Sequence, residues 1–434
     1  MGLVAVQRFC SSLLLGACLL VPLPARALQP LTAFLSAAEG ANPDVVAARA
    51  TTLQRHAEAL AAGGRLLPSV GLVGTYTRNQ YQAQFPINGR LLSLMPHNQM
   101  DGQATLTVPV VDVVSWARRT VARAQADLAR HQQRQSTLEV GKQVAQQYFA
   151  LAGAEGVLAA ARRSLSVSDE QRRQMALRLE QGAASKLEVA QADSDQALAA
   201  QNVASAELAV SLSGRMLETL TGLAPEAGGA LDDAPLHAEA PIERWLTYVD
   251  GTLPGLAAQK SAEAMARASN DAAAYAYIPS LSATATERYT NASALNGGHP
   301  FVWQVKANLA WNFDLSLVHQ KQAQRHGLAA ASARARYGAR QLADQLYTDY
   351  QQIEANRAKA EAARAMVRSS SLAESLAMEK GTAGVITQLD VLQARRDAFQ
   401  AEVNRVSADA DLLLYRTLLR LDAGIAAYAK GPSE

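Results

Sequence analysis

Residues 182–192 read GAASKLEVAQA and residues 384–394 read GVITQLDVLQA. Both follow one pattern: Gly, two free positions, Ser or Thr, one free position, Leu, an acid, Val, one free position, Gln, Ala. Gly182 and Gly384 supply the left-handed backbone on which a helix ends, and Ser185 and Thr387 are residues that cap the next one. Glu188 and Asp390 stand three residues after the cap, where a carboxylate completes a capping box and complements the helix dipole. Each stretch predicts a helical turnaround, and the chain makes the same one twice.

Working outward at this separation of 202 residues, Asp112 falls on Asp314, Val144 on Leu346, Tyr148 on Tyr350, Leu151 on Ile353 and Asp195 on Asp397. An internal repeat of that length outweighs any single motif. Each half is expected to run helix, Pro, alternating strand, loop, alternating strand, and two long helices around the turn. The register slips once, because Pro68 to Asp112 is 44 residues and Pro279 to Asp314 is 35. The excess lies in NQYQAQFPINGRLLSLMPHN (79–98), read as a surface loop because loops tolerate insertion and packed helices do not. The expected division is a leader at 1–27, a first repeat at 28–222, a connector at 223–241, a second repeat at 242–425 and a tail at 426–434.

In the leader, Arg8 precedes the apolar run SSLLLGACLLVPL, too short to span a bilayer, and Ala25-Arg26-Ala27 follows. That is the pattern of a secretory signal cleaved after Ala27. Leu15-Gly16-Ala17-Cys18 offers the competing reading of a lipidated Cys18. Both cysteines, Cys10 and Cys18, fall here, so no disulfide is expected in the mature fold. The 434 residues are 49% hydrophobic and 18% charged, the composition of a folded chain. Aromatics are only 5% and alanine is abundant, which suits long, closely packed helices. A net charge of +2 gives no ground for nucleic acid as a partner. Past the leader no run approaches the roughly 20 apolar residues of a membrane helix, so any membrane entry is by strands.

Trp303, Val305, Ala307, Leu309, Trp311 and Phe313 alternate with Gln304, Lys306, Asn308, Ala310 and Asn312. Met100 to Val110 alternates in the same way, and VGLVGTYTR from Val70 and LSATATERY from Leu281 are the partner strands. Four strands cannot close a barrel, and an open edge in hydrocarbon leaves backbone groups unsatisfied. Two copies give a barrel that side chains fill; three give twelve strands and a lumen. From Ser115 to Gln181 no proline occurs, and at about 1.5 Å per residue that stretch reaches roughly 100 Å. Val144, Tyr148, Leu151 and Leu158, with Leu346, Tyr350 and Ile353, have the spacing of a packed helix face. The predicted fold is mostly α with a small β part: a membrane β-barrel of four strands per chain, twelve in a trimer, continued by a long antiparallel α-helical coiled-coil barrel.

Asp195 and Asp397 lie seven residues beyond Glu188 and Asp390, which puts two acids on one helix face, two turns apart, in each half. Facing a bore in a trimer, they would form rings of negative charge that favour cations and set an opening equilibrium. Facing outward, they are ordinary solvated charges.

The doubled turns, with Asn42-Pro43 in the first helix, Pro68, Val108-Pro109 through Asp112 and Tyr148-Phe149, resemble the TolC-type outer membrane factor family over essentially the whole mature sequence. The resemblance implies a homotrimer in the outer membrane lipid of a Gram-negative bacterium, with its helical part in the periplasm. It implies docking onto a periplasmic adaptor (membrane fusion) protein and an inner-membrane transporter, as the exit duct of an efflux or type I secretion system. Carried over by motif, Gly182, Ser185, Gly384 and Thr387 belong to the docking tip and Asp390 to the constriction. The chain departs from the family pattern at Gln393, where some members carry a second acid, and at Ile386, where some carry an arginine. Asp397 is the residue left to form the second ring.

No catalysis and no cofactor are expected. The seven histidines are scattered, His319 and His326 have no third ligand nearby, and there is neither a phosphate-cradling loop nor a nucleophile elbow. The competing reading is a soluble periplasmic coiled-coil scaffold or adaptor, which would share the secretion signal and the helices but not two-faced strands.

Overall fold

The computed structural model describes residues 28–87, 89–226, 228, 233–248 and 253–425, so the expected leader, the tail and part of the expected connector lie outside the described residues. The first half runs α1 (Leu31–Ala41), α2 (Pro43–Gly64), β1 (Ser69–Arg78), β2 (Ala83–Ile87), β3 (Arg90–Met95), β4 (Asn98–Val111), α3 (Val113–Glu180) and α4 (Lys186–Thr221). The second runs α5 (Ile242–Leu246), α6 (Pro254–Tyr275), β5 (Ser280–Thr290), β6 (Phe301–Ala310), α7 (Ser316–Thr382) and α8 (Gln388–Asp422). Helix breaks follow local chemistry. Asn42, expected inside one helix, instead separates α1 from α2: its Oδ1 accepts from the Asp44 N–H at 3.0 Å, its Nδ2 donates to the Leu220 carbonyl at 3.0 Å, and Pro43 opens α2. Asp112 caps α3 by accepting from the Ser115 N–H at 2.8 Å.

The core is written in duplicate. One cluster joins Phe34, Val144, Leu151 and Leu217, and the other joins Trp245, Leu346, Ile353 and Leu419. Three of these pairs are 202 residues apart; Phe34 and Trp245 are 211 apart, as expected for positions ahead of the longer loop. None of these eight residues is more than 2% exposed. Phe34 and Trp245 sit on the short helices α1 and α5 and plug equivalent places against the long ones. An ion pair is duplicated too: Arg162 to Glu207 at 2.9 Å is exposed, and Arg364 to Asp409 at 2.5 Å is nearly enclosed.

The strands form one antiparallel sheet in the order β1-β4-β5-β6. The 79–98 segment, expected to be a loop, holds a separate hairpin of β2 and β3. Ala83, Phe85 and Ile87 alternate along β2, and β3 supplies Leu91, Leu92, Leu94 and Met95, so the insertion pairs with itself. The last alternating residues foreseen for β6, Trp311 and Phe313, lie past its end: the Trp311 Nε1 donates to the Tyr277 carbonyl at 3.3 Å, and the Phe313 ring lies 6.2 Å from that of Tyr277.

Register turns four alternating strands into two coherent faces. Val70 stands opposite Leu106, Leu106 opposite Ala285 and Ala285 opposite Val305; one step along, Leu72, Ala104, Glu287 and Trp303 align. Residues directly opposite one another share a face. One face therefore carries Val70, Leu72, Tyr76, Met100, Leu106, Val108, Leu281, Tyr289, Phe301, Trp303, Val305 and Leu309, with Glu287 within it and Arg78 at its edge as charges. The other carries Thr75, Thr77, Gln103, Thr105, Thr107, Ser282, Thr284, Thr286, Gln304, Lys306 and Asn308. No helix among the described residues covers the apolar face: Leu72 is 79% exposed, Trp303 78% and Leu309 73%. β1 and β6 each have a free edge among the described residues.

Candidate functional site

The two turns are built as their sequence demands. Gly182 and Gly384 have φ of 69° and 72°, a left-handed conformation that costs a side-chain-bearing residue energy. In the first turn Glu188 accepts from the Ser185 N–H at 2.7 Å and hydroxyl at 2.9 Å, while the Ser185 Oγ accepts from the Glu188 N–H at 3.2 Å. In the second, Asp390 accepts from the Thr387 N–H at 3.0 Å and hydroxyl at 2.6 Å, and the Thr387 Oγ1 accepts from the Asp390 N–H at 3.2 Å. The Ser185 backbone N–H and hydroxyl hold the Glu188 carboxyl below its ordinary pKa, and the Thr387 hydroxyl and N–H do the same for Asp390. Both acids stay charged; Asp390 is exposed and Glu188 is half-buried.

The next acids in line are treated differently. Asp397 is exposed, and its Oδ1 accepts from the Gln393 Nε2 one turn earlier at 2.9 Å. Asp195 is drawn into the seam between the two hairpins and faces Arg396 at 3.6 Å, with only 12% of its side chain exposed. A second pair spans the same seam, Arg163 to Glu402 at 3.1 Å. These four residues border a cleft of about 330 Å³ between the α3–α4 and α7–α8 hairpins. Sequence reading missed Arg163, Arg396 and Glu402, because each partner lies about 200 residues away and Arg396 has Ser194 at its matching place in the first half. Nothing in a single helix announces such a partner. The tip thus brings Gln393 and Asp397 together and ties Asp195 to the opposite hairpin.

No helix among the described residues is long and apolar enough to cross a membrane, and no group of three or more His, Cys, Asp or Glu among them is placed to hold a metal.

Comparison with known proteins bears on both ends of the molecule. The profile of a family described as outer membrane efflux protein matches residues 34–223 and 253–424. Among solved structures, the chain is similar to the CmeC outer membrane channel of Campylobacter jejuni, at 16% identity over 93% of this chain and 88% of that one, with a TM-score of 0.76. It is also similar to a membrane protein from Pseudomonas aeruginosa (18%, 91% and 93%, TM-score 0.77) and to the outer membrane protein VceC of Vibrio cholerae (16%, 91% and 96%, TM-score 0.73). At these identities the likeness establishes the fold. No curated protein sequence matches the chain.

Proposed function

The chain belongs to the outer membrane efflux protein family, and on that premise we propose that three copies form an outer membrane channel-tunnel serving as the passive exit duct of a tripartite efflux or type I secretion system. The observation that carries this reading is the open four-stranded sheet with an uncovered apolar face and two free edges. In water such a sheet exposes an apolar patch and an aggregation-prone edge. In a bilayer, closed edge to edge with two other copies, its backbone groups are paired, the apolar face meets lipid and the polar face lines the lumen. Trimerisation is further supported by the repeat: α3 packs between α2 and α6 within the chain, and a neighbouring copy would give α7 the equivalent position. In the same reading the 1–27 leader is removed on secretion, and 28–222 and 242–425 are the two repeats around a connector.

The two turns then lie at the far end of the helices, in the periplasm, where Gly182, Ser185, Gly384 and Thr387 would meet an adaptor protein and, through it, an inner-membrane transporter. Asp390 and the Gln393-supported Asp397 are the gate acids. Glu188 serves the cap of its own turn, and Asp195 restrains opening through Arg396. A soluble scaffold or adaptor fits the geometry less well, because it has no use for a bare apolar sheet face.

Two measurements test the proposal. The mature protein should appear in the outer membrane fraction and run as a trimer in detergent; a monodisperse monomer in plain buffer would favour the scaffold. Replacing Asp390 and Asp397 by Ala should raise single-channel conductance in planar bilayers or weaken block by polyvalent cations, and unchanged traces would remove these acids from the gate.

A further inference from the structure

Where the first strand meets its helices, a groove of about 620 Å³ opens between α2 and α3. Its walls are of two kinds. Leu60, Leu66 and Leu67 make one side apolar, with Leu60 and Leu67 about two-thirds exposed. Arg119, Arg123 and Arg130 line the other. Arg130 is matched by Asp127 at 3.3 Å, whereas Arg119 and Arg123 form no ion pair among the described residues. Two glycines floor the groove: the Arg119 guanidinium lies 3.4 Å from where a Cβ on Gly63 would stand, and open space surrounds one on Gly64.

The groove is placed at the level where a headgroup would be. Trp116, which shares a helix face with Arg119 and Arg123 by its spacing of three and seven residues, borders a shallow hollow with Val110 and Leu66. It thereby carries the apolar side of the sheet one turn past the strand exit. An aromatic residue followed by cations one and two turns further along marks a chain leaving the bilayer through its interface. The matching place in the second half keeps cations, Lys321 and Arg325, but has Val318 in place of Trp116 and differs on the α2 side. Asp271 stands where Leu60 does, Tyr275 where Gly64 does, and Lys321 donates to the Asn270 carbonyl at 2.6 Å.

We propose that the α2–α3 groove binds an anionic phospholipid of the periplasmic leaflet, its phosphate held by Arg119 and Arg123 and its acyl chains running over Leu66, Leu67 and Trp116. This rests on the channel reading above. Each protomer carries one site, at the joint between barrel and helices, so the lipid ties the membrane domain to the tunnel.

Native mass spectrometry of the full-length protein in detergent tests it, with phosphatidylglycerol, phosphatidylcholine or inorganic phosphate added. Phosphatidylglycerol should be retained over phosphatidylcholine. A cation near an anionic headgroup is worth about fivefold in binding, so Arg119→Gln with Arg123→Gln should reduce that preference roughly 25-fold. Gly64→Tyr, which copies the second half and leaves the charge intact, should block retention. Arg118→Gln, on the same helix but outside the groove lining, should leave it unchanged. Equal retention of the two lipids, an unaltered double variant, or full competition by inorganic phosphate would overturn the site while the trimer persists. A chain that forms no trimer would overturn the channel reading beneath it.

Discussion

Asp349 shows how much one buried side chain can do. It lies on α7 with 3% of its surface exposed, beside the ion pair of Lys142 on α3 and Asp422 on α8, and its Oδ1 accepts from the Gln345 Nε2 at 3.0 Å. Burial, and then the neighbouring Asp422, push its pKa up to about 7. A carboxyl whose pKa is raised on folding contributes most below its unfolded value near 4, and the contribution is lost as pH rises through about 7. Asp349→Asn should therefore raise the thermal midpoint at pH 8 and change it little at pH 5, the gain being at most about 4 kcal/mol; the same shift at both pH values would show that the charge is not the cause. At the turns, Gly384→Ala forces a side chain into the left-handed region and should cost about 1 kcal/mol, seen as faster amide exchange across residues 380–390 with the global transition nearly unmoved.

Helices and strands obey different constraints here. The long helices are held by duplicated clusters, so Leu151→Ala and Ile353→Ala should destabilise to a similar extent, roughly 2–5 kcal/mol each, in chemical denaturation. A large inequality would mean that the two clusters are packed to different densities despite their matched burial. The element layout was largely legible beforehand, because capping boxes, proline positions and two-residue alternation are local rules. What was not legible was the β2–β3 hairpin. Its arms are short and interrupted by Pro86, so the surplus in that half looked like loop, and only pairing between the arms makes it a sheet. The split at Asn42 was hidden for a similar reason: the residue's second hydrogen bond goes to Leu220.

For the assembled molecule the sheet's two faces decide everything. A charge placed on the lipid side of such a barrel costs roughly 2–4 kcal/mol near the bilayer midplane, so Val305→Arg should sharply reduce trimer recovered from the outer membrane. Gln304→Arg, one residue away on the polar face, should leave assembly intact and shift ion selectivity. Equal behaviour of the two variants would show that the faces are not divided between lipid and lumen.

The repeat, the caps at Ser185 and Thr387, the long uninterrupted helices and the strand periodicity were determined by the sequence alone, since each depends on residues within a few positions of one another or on a constant spacing. Tertiary structure decided the rest. It aligned four separate alternations into one apolar face, drew Asp195 to Arg396 and so parted it from Asp397, and set Arg119 over Gly63 in the α2–α3 groove. Those outcomes depend on which distant segments come side by side, and pairing across some 200 residues leaves no mark on either segment read by itself.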